Sequence, residues 1–306
     1  MKPDLVQYFL VQAGKYSYYV VITTKYGFRT NKPISYFVDV GGTMKGCVRV
    51  LIEKPDEIRR EDERFRNFEQ QKEIATIQWI GFNKKCSVRN DLLNGEGTRH
   101  MVRVAMTIVI NAFNWITKFK LTDASRVKCI EGLEMSLANL SFVTNGKSYY
   151  EKYLRAYLQH EEYRTKYGEA SKVLSDPYKK LPIQDFGDTF PIDKFTQDIY
   201  ERSTTYLEFF NNLKDECKKA DKVFCEVVHS WLDSFVRFIL GSFNLENVWM
   251  ADWIIDKETV KQIPVSEWTE EWNATEIEKV MQEEFQDYIV QKGGKKNASF
   301  LLGDLD

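Results

Sequence analysis

The alternation of apolar and polar positions predicts β structure over the first fifty residues. Tyr18–Thr24 is a β-branched and aromatic run that stops at Lys25-Tyr26-Gly27, where the glycine supplies a turn. Ile34–Val40 follows Pro33 and stops at Gly41-Gly42, and Cys47–Glu53 alternates in part and stops before Pro55. Two short joins between three strands predict an antiparallel meander. Glu53–Glu73 interleaves both charge signs, which reads as a solvated helix or loop insertion or as an interaction arm. Thr76–Phe82 predicts a fourth strand.

From Thr98 to Trp115 the polar residues Arg103, Thr107, Asn111 and Asn114 form a narrow stripe at helical spacing, and nearly everything else is apolar. Such a helix is buried on most sides, typically against a sheet. Ile116–Thr122 predicts a fifth strand, ended by a turn at Asp123-Ala124-Ser125. Leu133–Val143 is apolar enough for a core helix or a strand, with helix preferred. Asn145-Gly146 breaks it, and Ser148 with Glu151 reads as the capping box of a helix running on to His160. Beyond about residue 155 the texture is helical: Lys152–Val173, Asp193–Lys219 and Lys222–Leu240, with a linker at Ser175–Pro191. Phe224, Val227, Val228, Trp231, Phe235 and Phe238 recur at helical spacing as an amphipathic stripe. A region bearing Trp249, Trp253, Trp268 and Trp272 leads to a last helix, Thr275–Gln291, and a tail from Gly293-Gly294. The pattern predicts an α/β (α+β) protein: a mixed, mostly antiparallel sheet flanked by helices over 1–155, then a mainly helical extension over 156–306.

Composition narrows the function classes. With 306 residues, 43% hydrophobic and 29% charged, the chain is of soluble globular type. A net charge of −2 gives no general nucleic-acid footprint, so no nucleic-acid partner is expected. The longest apolar run, Val104–Phe113, is too short to span a bilayer and holds Thr107 and Asn111, so no membrane partner is expected. The first residues lack the apolar core and cleavage site of a signal peptide, which places the expected location in the cytosol or in a particle assembled there. The five cysteines (Cys47, Cys86, Cys129, Cys217, Cys225) are widely spaced and form no C-x-x-C, so reduced thiols are the default expectation. His100, His160 and His229 show no metal-binding spacing. Sequons stand at Asn139, Asn273 and Asn297.

The candidate chemistry gathers in Arg89–Tyr153. Gly95-Glu96-Gly97-Thr98 opens the buried helix, where first-turn amides and the helix dipole favour an anion and glycines let a phosphate approach. Arg89 and Arg99 add positive charge, while Glu96 opposes an anion unless it points away. The same glycines equally fit a cap or a turn. Tyr149 and Tyr150 at a helix start read as a general acid or as core aromatics. Asp123 and Ser125 at a strand end read as ligand-facing groups or as turn residues. His100 beside the glycines reads as a base, a phosphate contact or a structural residue, and Cys86 and Cys129 have no histidine nearby in the chain.

The order of these pieces resembles the GNAT (N-acetyltransferase) superfamily. The likeness runs through strands, a charged excursion, a fourth strand, a G-x-G loop, a buried helix, a fifth strand and a Tyr149-Tyr150-Glu151-Lys152 helix. That family's loop pattern, Q/R-x-x-G-x-G/A, cradles the pyrophosphate of acyl-CoA. Here the frame is Leu92-Leu93-Asn94-Gly95-Glu96-Gly97, with Leu92 where Gln or Arg is expected. The family's later pattern, approximately F-Y-E-K-x-G-F, matches Tyr149–Lys152, with Leu154 and Arg155 in place of Gly-Phe. A closer resemblance is to GNAT-like proteins of giant nucleocytoplasmic large DNA viruses, over roughly residues 76 to 190. It is carried by Gly95-x-Gly97-Thr98-x-His100-Met101, Phe119-x-Leu121-x-Asp123-x-Ser125, Cys129, Gly146–Lys152, Tyr163 and Asp176-Pro177-x-x-Lys180.

The resemblance implies a GNAT-like fold and acyl transfer from acetyl-CoA, or another acyl-CoA, to an amine acceptor. It assigns Gly95, Glu96, Gly97, Thr98 and Arg99 to the cofactor and makes Tyr150 the general acid. Asp123 and Glu53 are positional candidates for the base. It implies an infected host cytoplasm or a virion as location. The competing expectation is a non-catalytic GNAT-fold scaffold, or a structural protein of a virion or complex, contacting protein partners through its helical C-terminal region.

Overall fold

The computed structural model describes residues 2–27, 31–41, 47–54, 73–81, 86–88, 92, 96–123, 125–130, 133–189 and 193–267. The chain divides into two compact units, one formed by Met1–Leu121 with the chain from Ile255 on, the other by Thr122–Ile254. The division expected near residue 155 does not coincide with this one. The reason lies in the segment after Leu121, whose helix α2 (Leu137–Asn145) packs against later helices of the same unit.

The first unit is built on strands β1 (Leu5–Ala13), β2 (Tyr16–Tyr26), β3 (Pro33–Val40), β4 (Val48–Glu53), β5 (Ile74–Ile80) and β6 (Lys118–Leu121). They hydrogen-bond in sequence order, with a two-residue strand at Ser266–Glu267 paired to Val11 and Gln12 on the outer edge of β1. All these pairs are antiparallel except β5 with β6. Strand β1 was not expected, because Leu-Val-Gln-Tyr-Phe-Leu-Val-Gln-Ala is apolar without clean alternation. Its place is fixed by full register against β2, from Leu5↔Thr24 to Ala13↔Tyr16.

Helix α1 (Glu96–Ala112) links β5 to β6 and lies against β3 and β4. Its apolar residues, among them Met101, Val104, Ala105, Ile108 and Val109, are buried with Val20, Ile22, Val38, Val40, Val48, Val50 and Ile52. Each such fully buried side chain contributes roughly 1.5–3 kcal/mol relative to exposure. Asp39 and Arg49 face each other across β3 and β4 as an ion pair at 2.7 Å. The charged excursion, apart from its ends at Glu53, Lys54 and Glu73, lies outside the described residues. So do Gly95, Arg89, Trp268, Trp272, Thr275–Gln291 and the tail.

The second unit begins with a hairpin that sequence patterning missed, β7 (Arg126–Ile130) with β8 (Leu133–Ser136). The apolar run expected as one helix therefore splits: strand to Ser136, then helix α2. Ser136 caps α2 by accepting from the Asn139 amide at 3.1 Å. The helix ends at Gly146, whose left-handed backbone lets its amide reach the Phe142 carbonyl at 2.7 Å. The Ser148 cap is as the pattern predicts, its hydroxyl accepting from the Glu151 amide at 3.1 Å. That helix, α3 (Tyr149–Leu154), is short because Arg155 adopts a positive φ of 59°. A short strand, β9 (Tyr157–Leu158), follows and pairs with the start of β10 (Trp253–Asp256).

The remaining helices are α4 (Glu161–Ser175), α5 (Lys194–Arg202), α6 (Tyr206–Lys219), α7 (Phe224–Val228) and α8 (Leu232–Gly241). Two of the long helical stretches read from sequence are thus each two helices. Asp193 and Thr205 recap the chain by accepting from the Thr196 and Glu208 amides at 2.7 and 3.0 Å. Phe209, Phe210, Leu213, Trp231 and Phe235 form the aromatic centre of the unit. No described helix is long and apolar enough to cross a membrane.

The cysteines depart from expectation. Cys47–Cys86 and Cys129–Cys225 are disulfides with Cα–Cα distances of 5.9 and 5.7 Å, and only Cys217 is free, buried in α6. Their separations of 39 and 96 residues carry no motif, so folding alone brings the pairs together.

Candidate functional site

The polar turn after β6 places Asp123 in the second unit. Its backbone amide donates to the Trp249 carbonyl at 2.9 Å, and its side chain is 1% exposed. Ser125 lies beside it and donates to Asp123 Oδ1 at 2.7 Å. Tyr150, which α3 holds at 5% exposure, lies near enough that Ser125 and the Asp123 charge both act on its phenol. Two candidates, Asp123 and Tyr150, are therefore brought near each other, with Ser125 beside both. Asp123 Oδ2 has no hydrogen-bond partner among the described residues.

Burial decides the proton affinities here. It pushes the Asp123 carboxyl up to about 6, against the opposing hydrogen bonds from Ser125. It likewise raises the Tyr150 phenol well above its ordinary value, with the Asp123 charge adding to the effect and Ser125 opposing it. Glu151, on the same short helix, is raised by burial and partly held down by Lys147 at 4.0 Å. Tyr167 of α4 is raised by burial and then by the Glu151 charge. Around these groups Phe142, Tyr167, Trp249 and Trp253 pack edge and face, with centroids between 5.5 and 6.1 Å. Sequence reading did not gather Glu151, Tyr167 and Trp253 with Asp123. They lie far apart in the chain, and none carries a motif. The arrangement is a buried, hydroxyl-bonded carboxylate with raised proton affinity, close to a phenol that stays protonated.

The other candidates belong to the first unit. Glu96, Gly97, Thr98 and Arg99 form the first turn of α1, with Glu96 exposed and Thr98 and Arg99 half-buried. Gly97 is buried, and a Cβ there would sit 2.7 Å from the Cβ of Leu92, itself only 2% exposed. The missing side chain at Gly97 thus accommodates Leu92. His100 shares a hydrogen bond of 2.9 Å with the Tyr18 hydroxyl through Nδ1 and packs edge-on to Tyr16 at 5.0 Å. Burial lowers its proton affinity, Arg103 and Lys15 lower it further, and Glu96 opposes them. His100 is therefore neutral at pH 7 and is a structural partner of the β2 tyrosines. Cys86 and Cys129 are tied up in disulfides, which removes both as nucleophiles in this state. Asn139 of the first sequon is buried, bonding Asp233 and Trp249.

The parallel pair β5–β6 shapes the sheet beside α1. Their register runs Ile74↔Lys118, Ala75↔Phe119, Thr76↔Lys120, and β5 then continues to Ile80. On its other side β5 stays paired to β4, with a register shift between Arg49 and Val50. Trp79 on this stretch is 58% exposed. No group of three or more metal-ligating side chains occurs among the described residues.

Comparison with protein-family models, with curated proteins and with solved structures finds no match to this chain in any of the three.

Proposed function

We propose that the chain is a GNAT-like protein acting as an acyl-CoA-dependent N-acyltransferase on an amine. One observation carries the reading: a single parallel β5–α1–β6 crossover in a unit whose other strand pairs are antiparallel, with β5 outrunning β6 by several residues. A parallel pair that stops early leaves the longer strand's backbone donors and acceptors on that side, past the end of the shorter strand, without a ladder partner from it. Helix α1 is the next described helix along the chain, beginning at Glu96, and a helix start favours phosphate.

The fit of this first turn to acyl-CoA is partial. The dipole and unpaired amides of a helix of 17 residues favour the pyrophosphate, and Thr98 supplies a hydroxyl. Gly97 does not open its backbone to a phosphate, because Leu92 covers it. Bound acyl-CoA would supply the acyl group activated as a thioester. In the second unit, Asp123 suits a base: it is ionised at neutral pH yet retains affinity for a proton. Tyr150 keeps its proton across the physiological range and suits the donor that the resemblance assigns. Ser125 bonds the Asp123 carboxylate and opposes the rise at the Tyr150 phenol.

Calorimetric titration with acetyl-CoA tests the reading. Binding at micromolar to low millimolar ligand is expected, with Tyr150→Phe keeping binding and losing turnover on an amine panel. No heat at millimolar acetyl-CoA would sink the enzymatic reading.

The packing of Leu92 over Gly97 favours a second reading, a GNAT-fold scaffold without catalysis, in a virion or another assembly. Under that reading acetyl-CoA gives no heat, and the chain is recovered in stoichiometric amounts from purified virus particles. A monomer absent from particles counts against it.

A further inference from the structure

We propose that the Cys47–Cys86 disulfide is a maturation clamp, set once by thiol oxidation, that fixes the segment leading into α1. The proposal rests on the acyltransferase reading only for its consequence at the ligand. The clamp itself follows from the packing.

Cys47 is held by backbone hydrogen bonds just before β4. Its amide reaches the Gly41 carbonyl at 2.7 Å and the Val40 carbonyl at 3.0 Å, and its carbonyl accepts from the Gly81 amide at 2.6 Å. The disulfide passes this fixity to Cys86, 39 residues on. Cys86 is pressed so closely on β3 that its carbonyl oxygen lies 2.6 Å from where a Cβ on Gly41 would be, and Gly41 has a φ of +71°. Beyond Cys86 the chain docks on β2. Ser87 Oγ donates to the Ser17 carbonyl at 3.0 Å and lies 3.3 Å from the Ser17 amide, which donates to it, while the Val88 amide donates to the same carbonyl at 2.7 Å. Further on, Leu92 is buried against Gly97 in the first turn of α1. Cys86, Ser87, Val88 and Leu92 are therefore fixed points on the chain between β5 and α1. Three hydrogen bonds to one residue of β2 hold Ser87 and Val88 beside the covalent bond, each of modest net worth in water.

Cys86 is 1% and Cys47 8% exposed, so the closed bond is out of reach of another thiol in the folded protein. A bond buried this way is made while the segment is still undocked. The chemistry is exchange with an oxidised disulfide donor. One cysteine thiolate attacks a donor sulfur and releases a donor thiolate. The second cysteine thiolate then attacks the mixed disulfide and releases the other. Two protons leave the cysteines and two electrons pass to the donor. The reaction class that must precede function is therefore thiol oxidation, in an oxidising compartment or beside an oxidase, and not a reducing cytosol alone.

Hydrogen–deuterium exchange on the full chain tests the clamp, comparing oxidised protein, protein refolded with a phosphine reductant, and Cys47→Ser/Cys86→Ser. The Val88 amide is expected to exchange at least tenfold faster in the last two, with α6 amides of the second unit unchanged as a folding control. Equal Val88 protection in all three overturns the proposal, as does peptide mapping that finds Cys47 and Cys86 alkylated in the purified protein. Should the serine pair lose the α6 protection too, the reduced wild-type protein decides by the same criterion, and loss of Val88 protection before α6 in a reductant titration is the supporting result. Acetyl-CoA titration of the oxidised form separates the two ideas. Protected Val88 with no acetyl-CoA heat removes the acyltransferase reading and leaves the clamp standing.

Discussion

Asp123 is nearly sealed from solvent, takes one hydrogen bond from Ser125 on Oδ1, and leaves Oδ2 without a partner among the described residues. A carboxylate so placed binds its proton more tightly folded than unfolded, with a folded value of about 6 against an ordinary 3.8. The folded state therefore holds the extra proton between those values. Stability from this group is fully present at low pH and is lost as pH rises from about 4 through about 6. The displacement corresponds to roughly 3 kcal/mol, an upper figure because relaxation around the charge reduces it. Asp123→Asn cannot ionise, so the stability difference between wild type and variant should shift in favour of the variant by up to that amount between pH 4 and pH 7.5. Urea midpoints at the two pH values measure it, and a difference that does not change with pH would remove the buried-anion account. Ser125→Ala should carry the loss of stability on to higher pH, because the hydroxyl's hydrogen bond to the charged form would be lost while the backbone one remains. None of this was visible in sequence beyond the pairing of Asp123 with Ser125 at a strand end. That Tyr150 comes close to Asp123 and Ser125 depends on α3 returning to the same place, and residue spacing does not encode that return.

The lead-in to α1 is where the element scale decides between packing and binding. Gly97 reads from sequence as a glycine that lets a phosphate approach, yet the atoms nearest its missing side chain are Leu92 Cβ, Cδ2 and Cα at 2.7, 3.1 and 3.2 Å. Two of these are fixed close to the backbone and cannot swing aside. Gly97→Ala should therefore cost about 1–3 kcal/mol of stability by overpacking, against a gain of under about 1 kcal/mol in helix propensity. Thermal denaturation checks the sign; a stabilised variant would mean that Leu92 yields freely and that the glycine has another purpose. The elements that sequence reading located well, β2 to β5 and α1, are those whose apolar period matches one buried face. It lost β1 and the β7–β8 hairpin because Leu5–Ala13 and Arg126–Ser136 do not alternate cleanly and are held by register with a partner. It joined α5 to α6 and α7 to α8 because periodicity runs on through the capping residue Thr205 and past Trp231, and a cap interrupts a helix without interrupting its hydrophobic stripe.

At the scale of the whole chain the unit boundary and the disulfides belong together. Sequence reading placed a break where texture turned helical, near residue 155, but the chain leaves its first unit at Leu121 and returns at Ile255. Composition could not show this, since β7, β8 and α2 precede the change of texture and pack with helices that follow it. Each disulfide lies inside one unit: Cys47–Cys86 in the first, Cys129–Cys225 in the second. The second ties the β7–β8 hairpin to α7 and closes a loop of 96 residues, which spans most of its unit. By the chain-entropy account a crosslink of that length restricts the unfolded chain by roughly 4–5 kcal/mol, less any strain in the folded form. Cys129→Ser/Cys225→Ser should therefore lower the denaturant midpoint of the second unit. Intrinsic fluorescence, to which the buried Trp231 and Trp253 of that unit contribute, should report the change. The slope with denaturant should rise at the same time, because a chain freed of the crosslink exposes more surface on unfolding. A lower midpoint with an unchanged slope would place the effect in the folded state, as lost packing at the hairpin, and the entropic account of this bond would fail.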